Sequence, residues 1–344
     1  MRSFKSDYME GAHPKVLEAL INTNYEQSNG YGYDVYCDKA AGIIKKLCNN
    51  ENIGVHLLVG GTQTNLCLIA AALRPHQGVI SPATGHIQVH EAGAIEAAGH
   101  RVITVETSDG KIKPEQISSL CDEHKSGRNR EHTVQPKLVY ISNSTEIGSI
   151  YNKKELLELR RICDENGLYL YMDGARLAYA LTSDENDLTL ADIAALCDAF
   201  YIGGTKAGLL FGEALVISNN IINQDFRYIM KQRGAMLAKG RLLGVQFEAL
   251  LSNGLYFEIG KRANAMAKRI KNACIENNIP FLIDSPTNQQ FLVVPNNTAE
   301  KLKDICEIWK KTDENHTAVR LCISWAADEK AVDEFIGILK DVSA

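Results

Sequence analysis

Through the first two thirds of the chain, apolar residues fall in short runs, at 55–59, 78–81, 102–105, 138–142, 168–172, 199–202 and 215–218. Segments of helical length separate most of them, at 64–73, 91–98, 153–165 and 190–196. Strands alternating with helices predict an α/β unit, a mainly parallel seven-stranded sheet covered on both faces. After about residue 240 the pattern changes. A long helical stretch is expected over 244–277, then short strands at 281–283 and 291–294, a helix over 299–310, a strand at 319–324 and a last helix over 329–341. This reads as a smaller α+β unit with antiparallel pairing. Residues 1–243 are therefore expected to form a large domain and 244–344 a small C-terminal one, packed closely because no low-complexity linker joins them.

Composition narrows the function class. The 344 residues are 45% hydrophobic, as in an ordinary folded protein, and the net charge of -5 leaves no basic footprint for nucleic acid or an anionic membrane. Small-molecule substrates are expected. The nine cysteines contain no CxxC pair, so neither a disulfide framework nor a zinc ribbon is predicted. The first residues lack the apolar core of a signal peptide, and no run approaches the roughly 18 apolar residues of a membrane span. A cytoplasmic location is the expectation.

Two strand ends carry the chemistry. The segment Asp198-Ala199-Phe200-Tyr201-Ile202-Gly203-Gly204-Thr205-Lys206 is a buried strand that stops at two glycines and presents an amine at its carboxyl end, where open α/β sheets place ligands. That amine is a candidate Schiff-base nucleophile. Upstream, Tyr169-Leu170-Tyr171-Met172-Asp173-Gly174-Ala175-Arg176 repeats the pattern with a carboxylate. A lysine that bonds an aldehyde and an aspartate that pairs with a pyridinium nitrogen are the two groups pyridoxal 5'-phosphate most needs. Read alone, Asp173 could equally cap the next helix, and Arg176 could bind a carboxylate or make a structural salt bridge.

Other segments fall in line with this pair. Val59-Gly60-Gly61-Thr62 is a strand, a glycine turn and a helix start, whose free N–H groups suit a phosphate, so Gly61 and Thr62 are candidates. The bland alternative is a strand-to-helix turn capped by threonine. His86 could stack on a flat ring and move protons near neutral pH. With His90 it could instead bind metal, but the order HxxxHE lacks a third ligand, and no metal is expected. Arg320 interrupts an apolar strand of the small unit, either as a carboxylate ligand or as an outward-facing arginine on a half-buried strand.

Taken together, Lys5-Ser6-Asp7, Tyr31-Gly32-Tyr33-Asp34, Gly61-Thr62 with Asn65, His86 followed by Glu91-Ala92-Gly93-Ala94, Asp173-Gly174-Ala175-Arg176, Thr205-Lys206 and Arg320 resemble the threonine aldolase family over nearly the whole chain. The resemblance implies the aspartate-aminotransferase-like fold type I, with the first 30 residues reaching the active site. It implies that Lys206 bonds pyridoxal 5'-phosphate, Asp173 holds its pyridine nitrogen and His86 stacks on its ring. Thr205 and Arg176 would also line the cofactor, and Gly61 and Thr62 would hold its phosphate, with Arg241 of a neighbouring subunit. Ser6, Arg176 and Arg320 would clamp the substrate carboxylate, and Tyr31 would reach across a subunit boundary, so a homodimer or homotetramer with shared sites is implied.

One departure matters. Where many members have Asn-Thr-His, this chain reads Asn143-Ser144-Thr145-Glu146, which looks more like the phenylserine aldolase branch and leaves threonine, allo-threonine and aryl serine all open. The implied reaction is retro-aldol cleavage of an L-3-hydroxy-2-amino acid to glycine and an aldehyde, with His86 or Glu146 taking the hydroxyl proton. The rival readings are a β-eliminating lyase on an aromatic or sulfur amino acid, and a non-catalytic pyridoxal phosphate- or nucleotide-binding protein.

Overall fold

The computed structural model describes residues 2–343. Its strands are β1 (Gly54–Leu58), β2 (Gln77–Pro82), β3 (Val102–Val105), β4 (Gln135–Ser142), β5 (Tyr169–Asp173), β6 (Ala199–Gly203), β7 (Glu213–Ile217), β8 (Phe281–Ile283), β9 (Gln289–Pro295), β10 (Glu307–Lys311) and β11 (His316–Cys322). The first seven form one sheet in the order β1-β7-β6-β5-β4-β2-β3. Pairing is parallel from β3 through β6, and β7 runs antiparallel to both its neighbours.

Burial on both faces explains why these strands read as unbroken apolar runs. Every residue of β2, β6 and β7 is buried. Ile141, Leu170, Met172, Phe200 and Val216 belong to one core, while Leu138, Tyr140, Tyr171, Tyr201 and Leu215 belong to the core on the opposite side. This is the period-two alternation of a strand, and it puts a file of tyrosines on one face.

The four-stranded sheet, β10-β11-β9-β8, is antiparallel throughout and has its own core with the helix Glu329–Ser343. Phe4 joins that core. Its N–H donates to Ile305 and its carbonyl accepts from Cys322, both at 2.7 Å, which anchors the N-terminal segment beside β11. The helix Leu255–Glu276 spans both cores, with Tyr256 and Ile259 against the large sheet and Ala267 and Ile270 against the small one.

Two sequence expectations are corrected. The stretch over 244–277 is two helices, Arg241–Leu251 and Leu255–Glu276, divided at Gly254, whose φ of 72° is left-handed and suits glycine. The helix expected over 299–310 is a short one, Asn296–Leu302, followed by strand β10. After Leu302 the alternation of half-buried Glu307 and Trp309 with exposed Ile308 and Lys310 governs, and it makes a lysine-bearing edge strand.

Candidate active site

Register assembles the site. Ser142 of β4 pairs with Asp173 of β5, and Gly203 of β6 pairs with Glu213 of β7, so four strand ends meet at one edge of the sheet. Asp173 is 3% exposed and its two oxygens take four donors. Oδ1 accepts from the Tyr201 hydroxyl at 2.5 Å and the Ala175 N–H at 3.0 Å. Oδ2 accepts from the Tyr140 hydroxyl at 2.7 Å and Asn65 Nδ2 at 3.1 Å. Burial alone would raise its pKa, but the His86 charge and these bonds outweigh burial and hold it below the usual value, so Asp173 stays an anion.

Asn65 links that carboxylate to a second one. Its amide also donates to Glu91 Oε1 at 2.7 Å, and the Tyr171 hydroxyl fixes its orientation at 2.7 Å. Glu91 Oε1 in turn meets His86 Nδ1 at 2.8 Å. Burial works against the imidazolium, but the Glu91 bond and the charge of Asp173 raise the His86 pKa. Glu146 stands on the other side. Its Oε1 accepts from Ser142 Oγ at 2.8 Å and the His86 N–H at 3.1 Å, while Oε2 is shielded and without a partner among the described residues. Burial and then Asp173 push the Glu146 pKa up.

Lys206 lies in the turn Thr205–Ala207 beyond β6, its carbonyl accepting from the Tyr179 hydroxyl at 2.7 Å. Its amine stands 5.8 Å from the centroid of the Tyr8 ring. Burial and the Arg176 charge lower its pKa against the pull of Asp7, Asp173 and Glu213, which favours the neutral, nucleophilic amine. Glu213 braces the same turn, with Oε2 accepting from the Gly204 N–H at 2.9 Å, and burial raises its pKa to about 8. Thr205 Oγ1 accepts from the Gly212 N–H at 3.1 Å. At the start of the helix Gly61–Ala72 no side chain caps the free N–H groups. A Cβ on Gly61 would come within 3.0 Å of the Tyr201 hydroxyl that serves Asp173.

Of the other predicted residues, Arg176 is buried and gives Nε and Nη2 to the two oxygens of Asp7 at 2.9 and 3.0 Å. Asp7 is fully buried and also accepts from Asn288 Nδ2 at 2.9 Å. Ser6 Oγ, beside it in sequence, is shielded and without a partner among the described residues. Arg320 is paired with Glu307. Tyr31 and Arg241 lie elsewhere on the chain. The Tyr31 ring is half out in solvent under Lys231 Nζ at 4.4 Å, and Arg241 donates to the backbone carbonyls of Thr23 and Glu26.

A profile of the beta-eliminating lyases matches residues 3–297. The chain belongs to that family. The threonine aldolase of Leishmania major is 46% identical, each chain covering all of the other, with a TM-score of 0.97. The low-specificity L-threonine aldolase of Pseudomonas sp. NCIMB 10558 is 29% identical over 99% of this chain and 98% of its own. The aspartate aminotransferase of Thermus thermophilus, at 16% identity and a TM-score of 0.70 over 98% of this chain and 91% of its own, shares the fold alone. This beta-eliminating lyase family member is thus a lyase of fold type I whose cofactor is pyridoxal 5'-phosphate.

The residues suit that group. The site offers a nucleophilic amine, a buried anion for a ring nitrogen and an uncapped helix start beside a glycine for a phosphate. Tyr140, Tyr201 and Glu213 were missed in the sequence, as was the bridging role of Asn65. The two tyrosines carried a readable signal: each lies two residues before a strand end and so shares its face.

Proposed function

We propose that the protein cleaves L-3-hydroxy-2-amino acids, with L-threonine, L-allo-threonine and phenylserine as the substrate class, to glycine and an aldehyde. The observation that carries this reading is the chain of contacts from Asp173 through Asn65 and Glu91 to His86, beside Lys206, in a chain 46% identical to a threonine aldolase. When bound, pyridoxal phosphate supplies an electron sink for the pair released as the Cα–Cβ bond breaks. Lys206 gives its neutral amine to hold the cofactor, and Asp173, kept anionic, holds a proton at the ring nitrogen. Gly61 and Thr62 would hold the phosphate, with Arg241 of a neighbouring subunit.

Ser6, Arg176 and Arg320 orient the substrate carboxylate, which decides which Cα bond is placed for cleavage. Asp7 is the positioning residue for Arg176, since it holds Nε and Nη2 along one edge of the guanidinium. His86 takes the β-hydroxyl proton at Nε2, because Glu91 holds Nδ1 and stabilises the imidazolium that forms. A second reading gives this proton to Glu146, and the unpartnered Oε2 with its raised pKa favours it.

Tyr31 and Arg241 serve the site of a second copy in a homodimer or homotetramer. Tyr31 and Tyr33 are exposed and lie against Lys231 and Arg227, and this aromatic surface supports association. The nine free cysteines support a cytoplasmic location, and among the described residues no helix is long and apolar enough to cross a membrane. The test is the visible absorbance of bound cofactor and its response to L-threonine and L-phenylserine. An undiminished band in Lys206→Ala overturns the lysine assignment, and a holoenzyme that releases no glycine from either substrate overturns the aldolase reading.

A further inference from the structure

Arg320 and Glu307 are directly opposed on the antiparallel pair β10 and β11, and Arg320 Nη2 donates to Glu307 Oε2. The guanidinium also lies over the Trp309 ring, 4.8 Å from its centroid. Trp309 is itself fixed edge-on against Phe291 at 5.4 Å, and Phe291 is the β9 partner of Arg320. The guanidinium therefore has an aromatic neighbour to rest on besides Glu307. Nε is buried and has no partner among the described residues.

A carboxylate binds a guanidinium in bidentate fashion through Nε and Nη2 or through Nη1 and Nη2. Both forks draw on Nη2, whose two hydrogens serve one fork each, and Glu307 takes one of them and offsets the guanidinium charge that either fork presents. Arg176 displays the first fork filled by Asp7. Arg176 is tied to the sheet that carries Arg320, because its partner Asp7 accepts from Asn288 Nδ2 at 2.9 Å and the same amide donates to the Ile323 carbonyl, just beyond β11, at 3.0 Å. The two internal carboxylates differ in one respect: Asp7 is fully buried, whereas the Glu307 side chain is 41% exposed and can be hydrated when released.

We propose that Glu307 is a built-in competitor for the substrate carboxylate, occupying Nη2 of Arg320 in the free enzyme and swinging into solvent when an amino acid enters. The inference rests on the reading of Arg320 as a carboxylate ligand. Trp309 gives the guanidinium a surface to rest on throughout. Glu307 thereby sets the threshold for entry: a ligand with an α-carboxylate displaces it, and one without that charge gains nothing from its removal.

The test is calorimetric binding of glycine and of glycinamide to the holoenzyme in wild type, Glu307→Gln and Arg320→Gln. Losing a partly exposed ion pair makes glycine bind about fivefold more tightly to Glu307→Gln, with glycinamide unchanged. Steady-state cleavage of L-threonine shows the same gain in KM rather than in kcat. Unchanged or weaker glycine binding overturns the proposal, weaker binding meaning that Glu307 orients Arg320, and an equal gain for glycinamide overturns it too. If Arg320→Gln leaves glycine affinity intact, the carboxylate reading itself falls. If Arg320→Gln loses affinity and Glu307→Gln gains none, only the competitor role falls.

Discussion

Replacing Asn65 by alanine tests the polar chain under the cofactor site. The side chain is fully buried and makes three bonds: it donates to Glu91 at 2.7 Å and Asp173 at 3.1 Å, and accepts from Tyr171 at 2.7 Å. Bonds to charged groups are worth about 1.5–3 kcal/mol each, so the two carboxylate contacts sum to about 3–6 kcal/mol. A water entering the space left by the amide would restore part of this, which leaves an expected loss of about 3 kcal/mol. Asp173 keeps Tyr140, Tyr201 and Ala175, whereas Glu91 keeps only His86 and has one oxygen already without a partner. The damage therefore falls on the Glu91–His86 contact as well as on stability. Urea unfolding of the cofactor-free protein reads the first effect, and L-threonine cleavage reads the second, with kcat expected to fall by about tenfold or more. Unfolding within about 0.5 kcal/mol of wild type, together with unchanged kcat, would refute the idea that Asn65 couples the two carboxylates.

The choice of base is settled by parallel variants: if His86 takes the proton, His86→Asn lowers kcat by about 10²–10⁴ and Glu146→Gln by much less, and the reverse order assigns it to Glu146. Glu213 has its pKa raised to about 8 from 4.5 by burial, so its contribution to stability is full below the unfolded value and is lost as pH rises through 8. Glu213→Gln should accordingly gain stability relative to wild type between pH 5 and pH 9, by at most about 5 kcal/mol; a constant difference across that range in denaturant titrations contradicts the assignment. Gly61→Ala puts a methyl within 3.0 Å of the Tyr201 hydroxyl and crowds the helix start, so pyridoxal phosphate affinity, followed by absorbance, should fall by about tenfold or more; unaltered affinity would remove Gly61 from the phosphate site.

What the sequence discloses and what it hides follows from the physics of each element. Strands buried on both faces leave apolar runs, and the abrupt ends of those runs make the positions of Asp173 and Lys206 legible in the sequence alone. The tyrosines serving Asp173 were legible in principle by the same alternation, since Tyr201 lies two residues before Gly203. Contacts between distant segments leave no such trace. Nothing local ties Asp7 to Arg176, 169 positions away, so spacing alone left Arg176 open between a ligand for cofactor or carboxylate and a structural salt bridge, and could not name the buried partner it has. Glu307 was hidden for a related reason: edge strand β10 follows a helix after only a short turn, so Leu302, Ile305 and Trp309 mimic helical spacing until pairing with β11 imposes alternation.

The proposed activity stands or falls on the fate of the Cα–Cβ bond, which product analysis reads out. Holoenzyme incubated with L-threonine should release glycine and acetaldehyde in equal amounts, and Lys206→Ala should release neither. Formation of 2-oxobutyrate and ammonia in their place, the products of β-elimination, would contradict it.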